Sequence, residues 1–151
     1  MPKITGILPT VERGPTWGEL EELGLVKKAG LIWSFEIDRL TPSQNELARR
    51  YRNRHAYAKL RTEFELWIMA GMANGRIPKA TGRRKLTITR YAKSKRYLLD
   101  RGNLVGGCKP LLDAAIQMGL IMDDKEELLD DHYEQEVCAK RPRTEVEVTD
   151  A

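Results

Sequence analysis

Cysteine is scarce. Cys108 and Cys138 are the two in 151 residues, too few for a disulfide framework or a four-cysteine zinc site, and both read as free thiols. Long apolar runs are missing too: the longest, residues 66–73, has eight residues, whereas a membrane-spanning helix needs about 20. The opening Ile4-Thr5-Gly6-Ile7-Leu8-Pro9 is too short and too Pro-broken for a signal peptide, so the expected location is the cytoplasm, with no membrane partner. Histidine is limited to His55 and His132, far apart and best read as structural. GxSxG, HExxH, the P-loop and the dinucleotide-binding glycine pattern are all absent, which removes the commonest signatures of serine hydrolases, zinc proteases and nucleotide enzymes.

What is present is a soluble, single-domain composition: 41% hydrophobic, 32% charged and a mean hydropathy of −0.51, enough apolar residues for a core at this length. The net charge of +4 conceals a strong segregation. Residues 49–109 hold 17 Lys and Arg against three acids, and residues 110–151 hold 12 acids against four bases. A concentrated basic stretch suits a polyanion partner, because each neutralised phosphate releases counterions. A solvated surface, or attraction between the two halves, would produce the same pattern.

Residues 1–30 carry Pro2, Pro9, Pro15 and five glycines and read as an N-terminal arm. It holds one short helix, opened by the capping box Thr16-Trp17-Gly18-Glu19 and closed at Gly30. Strict alternation of Leu31, Trp33, Phe35 and Ile37 with polar residues then predicts the first strand of a domain over residues 31–151. After the turn at Pro42-Ser43-Gln44-Asn45, the run Arg49-Arg50-Tyr51-Arg52-Asn53-Arg54-His55 shows no apolar face. Ser43 with Glu46 offers a helix cap directly, but the missing apolar face favours a basic loop before a helix over residues 56–73. A strand over 85–91, a second basic loop at Lys93, Lys95 and Arg96, a helix over 103–118 and two strands over 128–139 and 145–149 complete the pattern. The fold class expected is α+β: one small domain with a mixed sheet and helices on one face.

Chemistry concentrates around the 103–118 helix. On one continuous helix, Gly102, Gly106, Lys109 and Asp113 share a face, with Asp100 just before it and Asp123-Asp124 just after. Carboxylate oxygens near a basic surface suit Mg²⁺ better than Zn²⁺. The same residues also read structurally. Asp100 is a candidate N-cap, Asp123-Asp124 a turn, Lys109 and Asp113 an i, i+4 surface pair, and Gly106-Gly107 a notch for a closely approaching backbone.

At these positions the sequence resembles the RusA family of Holliday junction resolvases. The residues that carry the resemblance are Asp100, Asn103-Leu104 at the helix start, Lys109, Asp113-Ala114-Ala115, Gly119 and Asp123-Asp124, together with Pro42-Ser43-Gln44-Asn45 earlier in the chain. It spans roughly residues 33–149. The resemblance implies a homodimeric, Mg²⁺-dependent endonuclease, bacterial or phage-encoded, that nicks four-way DNA junctions. Asp100 and Asp124 would hold the metal, Asp123 or Asp113 would assist, and Lys109 would stabilise the transition state. Arg49, Arg50, Arg52, Arg54, Arg83, Arg84, Lys93, Lys95 and Arg96 would position the DNA backbone. Two departures stand out. Gly106-Gly107 move Lys109 away from Asn103 by about one helical turn, and Gly102 occupies the position of a second acid. The alternative implied by that loss is a catalytically impaired branched-DNA-binding protein.

Overall fold

A computed structural model describes residues 31–151; the expected helix of the N-terminal arm lies outside the described residues. Four strands, β1 (Ile32–Ile37), β2 (Arg84–Ala92), β3 (Leu129–Val137) and β4 (Arg143–Asp150), form one sheet in the order β1-β4-β2-β3. β4 is antiparallel to both β1 and β2, whereas β2 and β3 are parallel. The parallel pair needs a long crossover, and the chain supplies one with helices α3 (Arg101–Gly106) and α4 (Lys109–Met118). The other helices, α1 (Gln44–Arg50) and α2 (Arg54–Gly75), lie between β1 and β2 in sequence. This is the mixed-sheet α+β domain read from the sequence.

The core forms where the inward residues of each strand meet the helices. Ile37, Leu86, Ile88, Val146 and Val148 from the sheet and Leu60, Phe64, Ile68 and Leu111 from α2 and α4 are all buried in one cluster. The expected alternation of β1 holds, with Trp33 and Phe35 packed on the core and Ser34 and Glu36 exposed. By register, the opposite face of the sheet carries Glu36, Glu145, Glu147, Asp130, Glu134 and Glu136. Most of the acids of β3 and β4 thus lie on the sheet face opposite the core.

Two elements differ from the sequence reading. The basic run over residues 49–55 is mostly helical. Ser43 Oγ accepts from the Glu46 N–H at 3.0 Å and opens α1, and Asn53 Oδ1 accepts from the His55 N–H at 2.7 Å and opens α2 two residues earlier than expected. α1 buries none of its residues, which is why hydrophobic periodicity gave no sign of it. The helix expected over residues 103–118 is broken at Gly107-Cys108. A Cβ on Gly107 would lie 1.8 Å from the Pro42 carbonyl oxygen, so the chain approaches another backbone here as the glycine pair suggested. The break divides the expected run, leaving Gly102 and Gly106 on α3 and Lys109 and Asp113 on α4.

Candidate functional site

Asp100 caps α3. Its Oδ1 accepts the Asn103 N–H and its Oδ2 accepts the Asn103 Nδ2–H, both at 2.9 Å. These bonds from Asn103, backbone first and side chain second, hold the carboxyl below its ordinary range, because both favour the charged form. Asn103 Oδ1 in turn accepts the Asn45 N–H of α1 at 2.9 Å. The side chain expected to mark a helix start therefore also connects Asp100 to α1.

The end of α1, its connection to α2 and the start of α2 carry exposed Arg49 and Arg50, Arg52, and Arg54 respectively. Arg50 pairs with Glu46 at 3.4 Å; among the described residues no ion pair engages Arg49, Arg52 or Arg54. Exposed Lys93, Lys95 and Arg96 follow the C-terminal end of β2. The Tyr97 carbonyl beside them accepts from Arg90 Nη1 at 3.0 Å, and Arg90 Nε donates to the Thr41 carbonyl just before α1 at 3.0 Å. Buried Arg90 thus ties the two loops that flank Asp100.

Lys109 opens α4, and its Nζ lies 3.1 Å from Asp113 Oδ1. The Tyr57 hydroxyl of α2 donates to the other oxygen, Oδ2, at 2.7 Å. Burial and the Asp113 carboxylate both push the Tyr57 hydroxyl pKa up, so it stays a donor. Asp113, expected as a possible metal helper, has both oxygens committed to protein groups. Sequence reasoning missed Tyr57 and Arg90, since neither lies in a motif; Asn45 was visible only within the Pro-x-Ser-x-Asn resemblance.

Asp123 and Asp124 lie in the segment between α4 and β3. Asp123 Oδ1 accepts the Asp124 N–H at 2.7 Å, the turn foreseen for this pair, and Asp123 Oδ2 lies 3.8 Å from Lys125 Nζ. The segment is anchored at the start of β2, where Arg84 Nη1 donates to the Leu120 carbonyl and the Arg84 N–H to the Leu128 carbonyl. Leu99, next to Asp100, is anchored instead to the Gln135 side chain, and Gln135 pairs with Arg90 in the sheet. Six residues of strand, about 20 Å at 3.3 Å each, separate the two anchors. Among the described residues no three His, Cys, Asp or Glu side chains gather in a way that could hold a metal.

Two of the proposed DNA contacts move. Arg84 is 1% exposed: it bonds Asp150 at 2.9 Å and stacks on Trp33, so it is a structural residue and not a surface cation. Arg83 stays exposed but sits at the Asp123-Asp124 end, its Nε donating to the Glu126 carbonyl. Cys108 is fully buried, and burial pushes its thiol up to about 12, while His132 bonds Asp130. Cys108 therefore lacks the exposure a nucleophile needs, whereas His132 is exposed on β3. Among the described residues no helix is long and apolar enough to cross a membrane. No protein-family model matches the chain, and no curated protein matches it.

Proposed function

We propose that this chain is a Mg²⁺-dependent, structure-specific endonuclease that nicks four-way DNA junctions as a homodimer. One observation carries the reading: Asp100, an exposed carboxylate whose charged form is favoured by its Asn103 bonds, is tied through Asn103 to helix α1, which leads into Arg49, Arg52 and Arg54, cations with no ion pair among the described residues. Basic residues attract phosphate, and a carboxylate among them repels it. The two are reconciled by a divalent cation between carboxylate and DNA. The donors fit Mg²⁺ in kind, since that ion is commonly held by one or two carboxylates, with phosphate oxygens and water completing its shell. When bound, it would lower the pKa of a nearby water and shield charge developing on the phosphate.

Within this proposal Arg49, Arg50, Arg52 and Arg54, with Lys93, Lys95 and Arg96, hold the DNA backbone and select shape over sequence. Lys109, kept in place by Asp113, faces the developing phosphate charge. Because the segments carrying Asp100 and Asp123-Asp124 are anchored at opposite ends of β2, the shared site of this proposal lies across a two-fold axis, with Asp100 from one protomer and Asp124 from its partner. Two such sites also match the two symmetric cuts that a junction requires.

Complementation tests this directly. Asp100→Asn and Asp124→Asn should each abolish nicking while binding to a synthetic four-way junction survives. Mixing the two variants should restore nicking, because one composite site per mixed dimer is then intact. Failure of the mixture despite verified subunit exchange would refute the shared site. A second reading, an impaired junction-binding protein, is favoured by Gly102, which leaves the Asp100 end with one acid fewer than the resemblance leads one to expect. Binding without nicking by the unaltered protein at any Mg²⁺ concentration would establish that reading instead.

A further inference from the structure

Helix α1 carries Arg49 and Arg50, yet it buries none of its own residues fully and touches the core only through half-buried Leu47 and its C-cap Tyr51, so core packing alone does not fix its position. Polar ties do. At its N-terminus the Asn45 N–H is held by Asn103 Oδ1, and the same Asn103 side chain donates through Nδ2 to Asp100. Just upstream the Thr41 carbonyl is held by Arg90, whose second bond goes to Tyr97, three residues before Asp100. Arg90 is 8% exposed, and among the described residues no carboxylate pairs with it. Burying a cation without an anion is costly, so its retention points to work that an apolar residue could not do. A guanidinium can reach two carbonyls in a fixed fork; a single ammonium cannot hold both in that geometry.

We propose that Asn103 and Arg90 form a two-point strut that fixes basic helix α1 relative to the Asp100 carboxylate, so that DNA seated on α1 meets Asp100 at a set distance. The two are positioning residues: neither touches DNA in this account. The inference deepens the nuclease reading, and its consequence for cleavage rests on that reading. The strut itself is a statement about α1 and Asp100 and has its own readout.

The test uses the full chain carrying Asn103→Ala, with Asn103→Asp as companion. The surface location of Asn103 makes either variant safe for folding, and the Asp100 cap bond to the residue-103 backbone N–H is kept. Amide hydrogen exchange is followed over residues 45–50, with α2 and α4 as internal references. The strut predicts exchange in α1 faster by at least about tenfold while the references stay unchanged, a local opening rather than global loss of stability. Asn103→Asp, which keeps an acceptor for the Asn45 N–H but cannot donate to Asp100, should leave α1 protected and disturb only the Asp100 side. Unchanged α1 exchange in Asn103→Ala would overturn the strut.

Single-turnover nicking supplies the second readout. The strut predicts a lower maximal rate for both variants at nearly unchanged junction affinity, whereas a merely structural role would lower the melting temperature and leave the rate at permissive temperature alone. Equal rates for the variants and the unaltered protein would overturn the positioning role. If the unaltered protein does not nick at all, the nuclease reading fails, and the exchange result still decides the strut.

Discussion

Gly102→Asp restores an acid where the resemblance expects one, and the structure leaves room for it. Gly102 lies in the first turn of α3, is not among the positive-φ residues, and a Cβ there would meet only Asp100 Oδ1, at 3.5 Å. An Asp side chain therefore fits without backbone strain. Replacing Gly inside a helix recovers about 0.3–0.5 kcal/mol of propensity. A negative charge in the first turn adds roughly 0.3–1 kcal/mol through the helix dipole. Repulsion from Asp100 opposes both and raises the Asp100 pKa back toward its ordinary value, so stability should change by less than about 1 kcal/mol. The gain lies in cation binding. A unit charge about 5 Å from a divalent ion is worth about 1.7 kcal/mol even in bulk water, roughly a fifteenfold gain in affinity. Calorimetric Mg²⁺ titration and the Mg²⁺ dependence of nicking should both move by about that factor. Gly102→Asn, which matches the shape without the charge, should move neither. Equal behaviour of the Asp and Asn variants would refute the missing-ligand argument.

Three further outcomes follow from the same geometry. Gly107→Ala should destabilise by roughly 1–3 kcal/mol or more, because its Cβ meets the Pro42 backbone, which cannot swing aside; Gly106→Ala, whose Cβ meets the flexible Gln44 side chain, should cost less, and equal urea midpoints for the two would contradict this. Replacing Arg52 and Arg54 together with Ala should weaken binding to all DNA sequences alike and reduce the slope of log affinity against log salt by about two units; an unchanged slope would remove that segment from the DNA surface. The Asp100 carboxyl, lowered below its ordinary 3.8 by its Asn103 bonds, contributes stability that is complete above that value and is lost as pH falls through the lower folded value. The difference in melting temperature between the unaltered protein and Asp100→Ala should therefore be flat near neutrality and shrink in acid; a constant difference down to the lowest pH would contradict the cap.

The fold was legible wherever hydrophobic periodicity carried it. β1, β2, the long α2 and the two C-terminal strands bury one side of an alternating or 3.6-residue pattern, and that pattern is written in Trp33, Phe35, Leu60, Phe64, Leu86 and Ile88. α1 was only partly legible: Ser43 with Glu46 offered its cap, but the helix has no fully buried face beyond half-buried Leu47, and the Asn103 bond that holds it leaves no period in the sequence. The break at Gly107 was half visible: two adjacent glycines announced a close approach, but not that the partner was Pro42 or that the helix would divide. At the candidate site, every structural alternative for Asp100, Asp123-Asp124, Lys109-Asp113 and Gly107 is realised. Local bonds of that kind can be read from spacing. The separation of Asp100 from Asp124 could not be, because it depends on which ends of β2 anchor the crossover.

The central claim stands or falls on one incubation: purified full-length protein with a synthetic four-way junction, with and without Mg²⁺, resolved on a denaturing gel. The account predicts symmetric paired nicks that require Mg²⁺ and disappear in Asp100→Asn. Tight, salt-sensitive junction binding with no nicking at any Mg²⁺ concentration, or nicking that persists undiminished in Asp100→Asn, would contradict it.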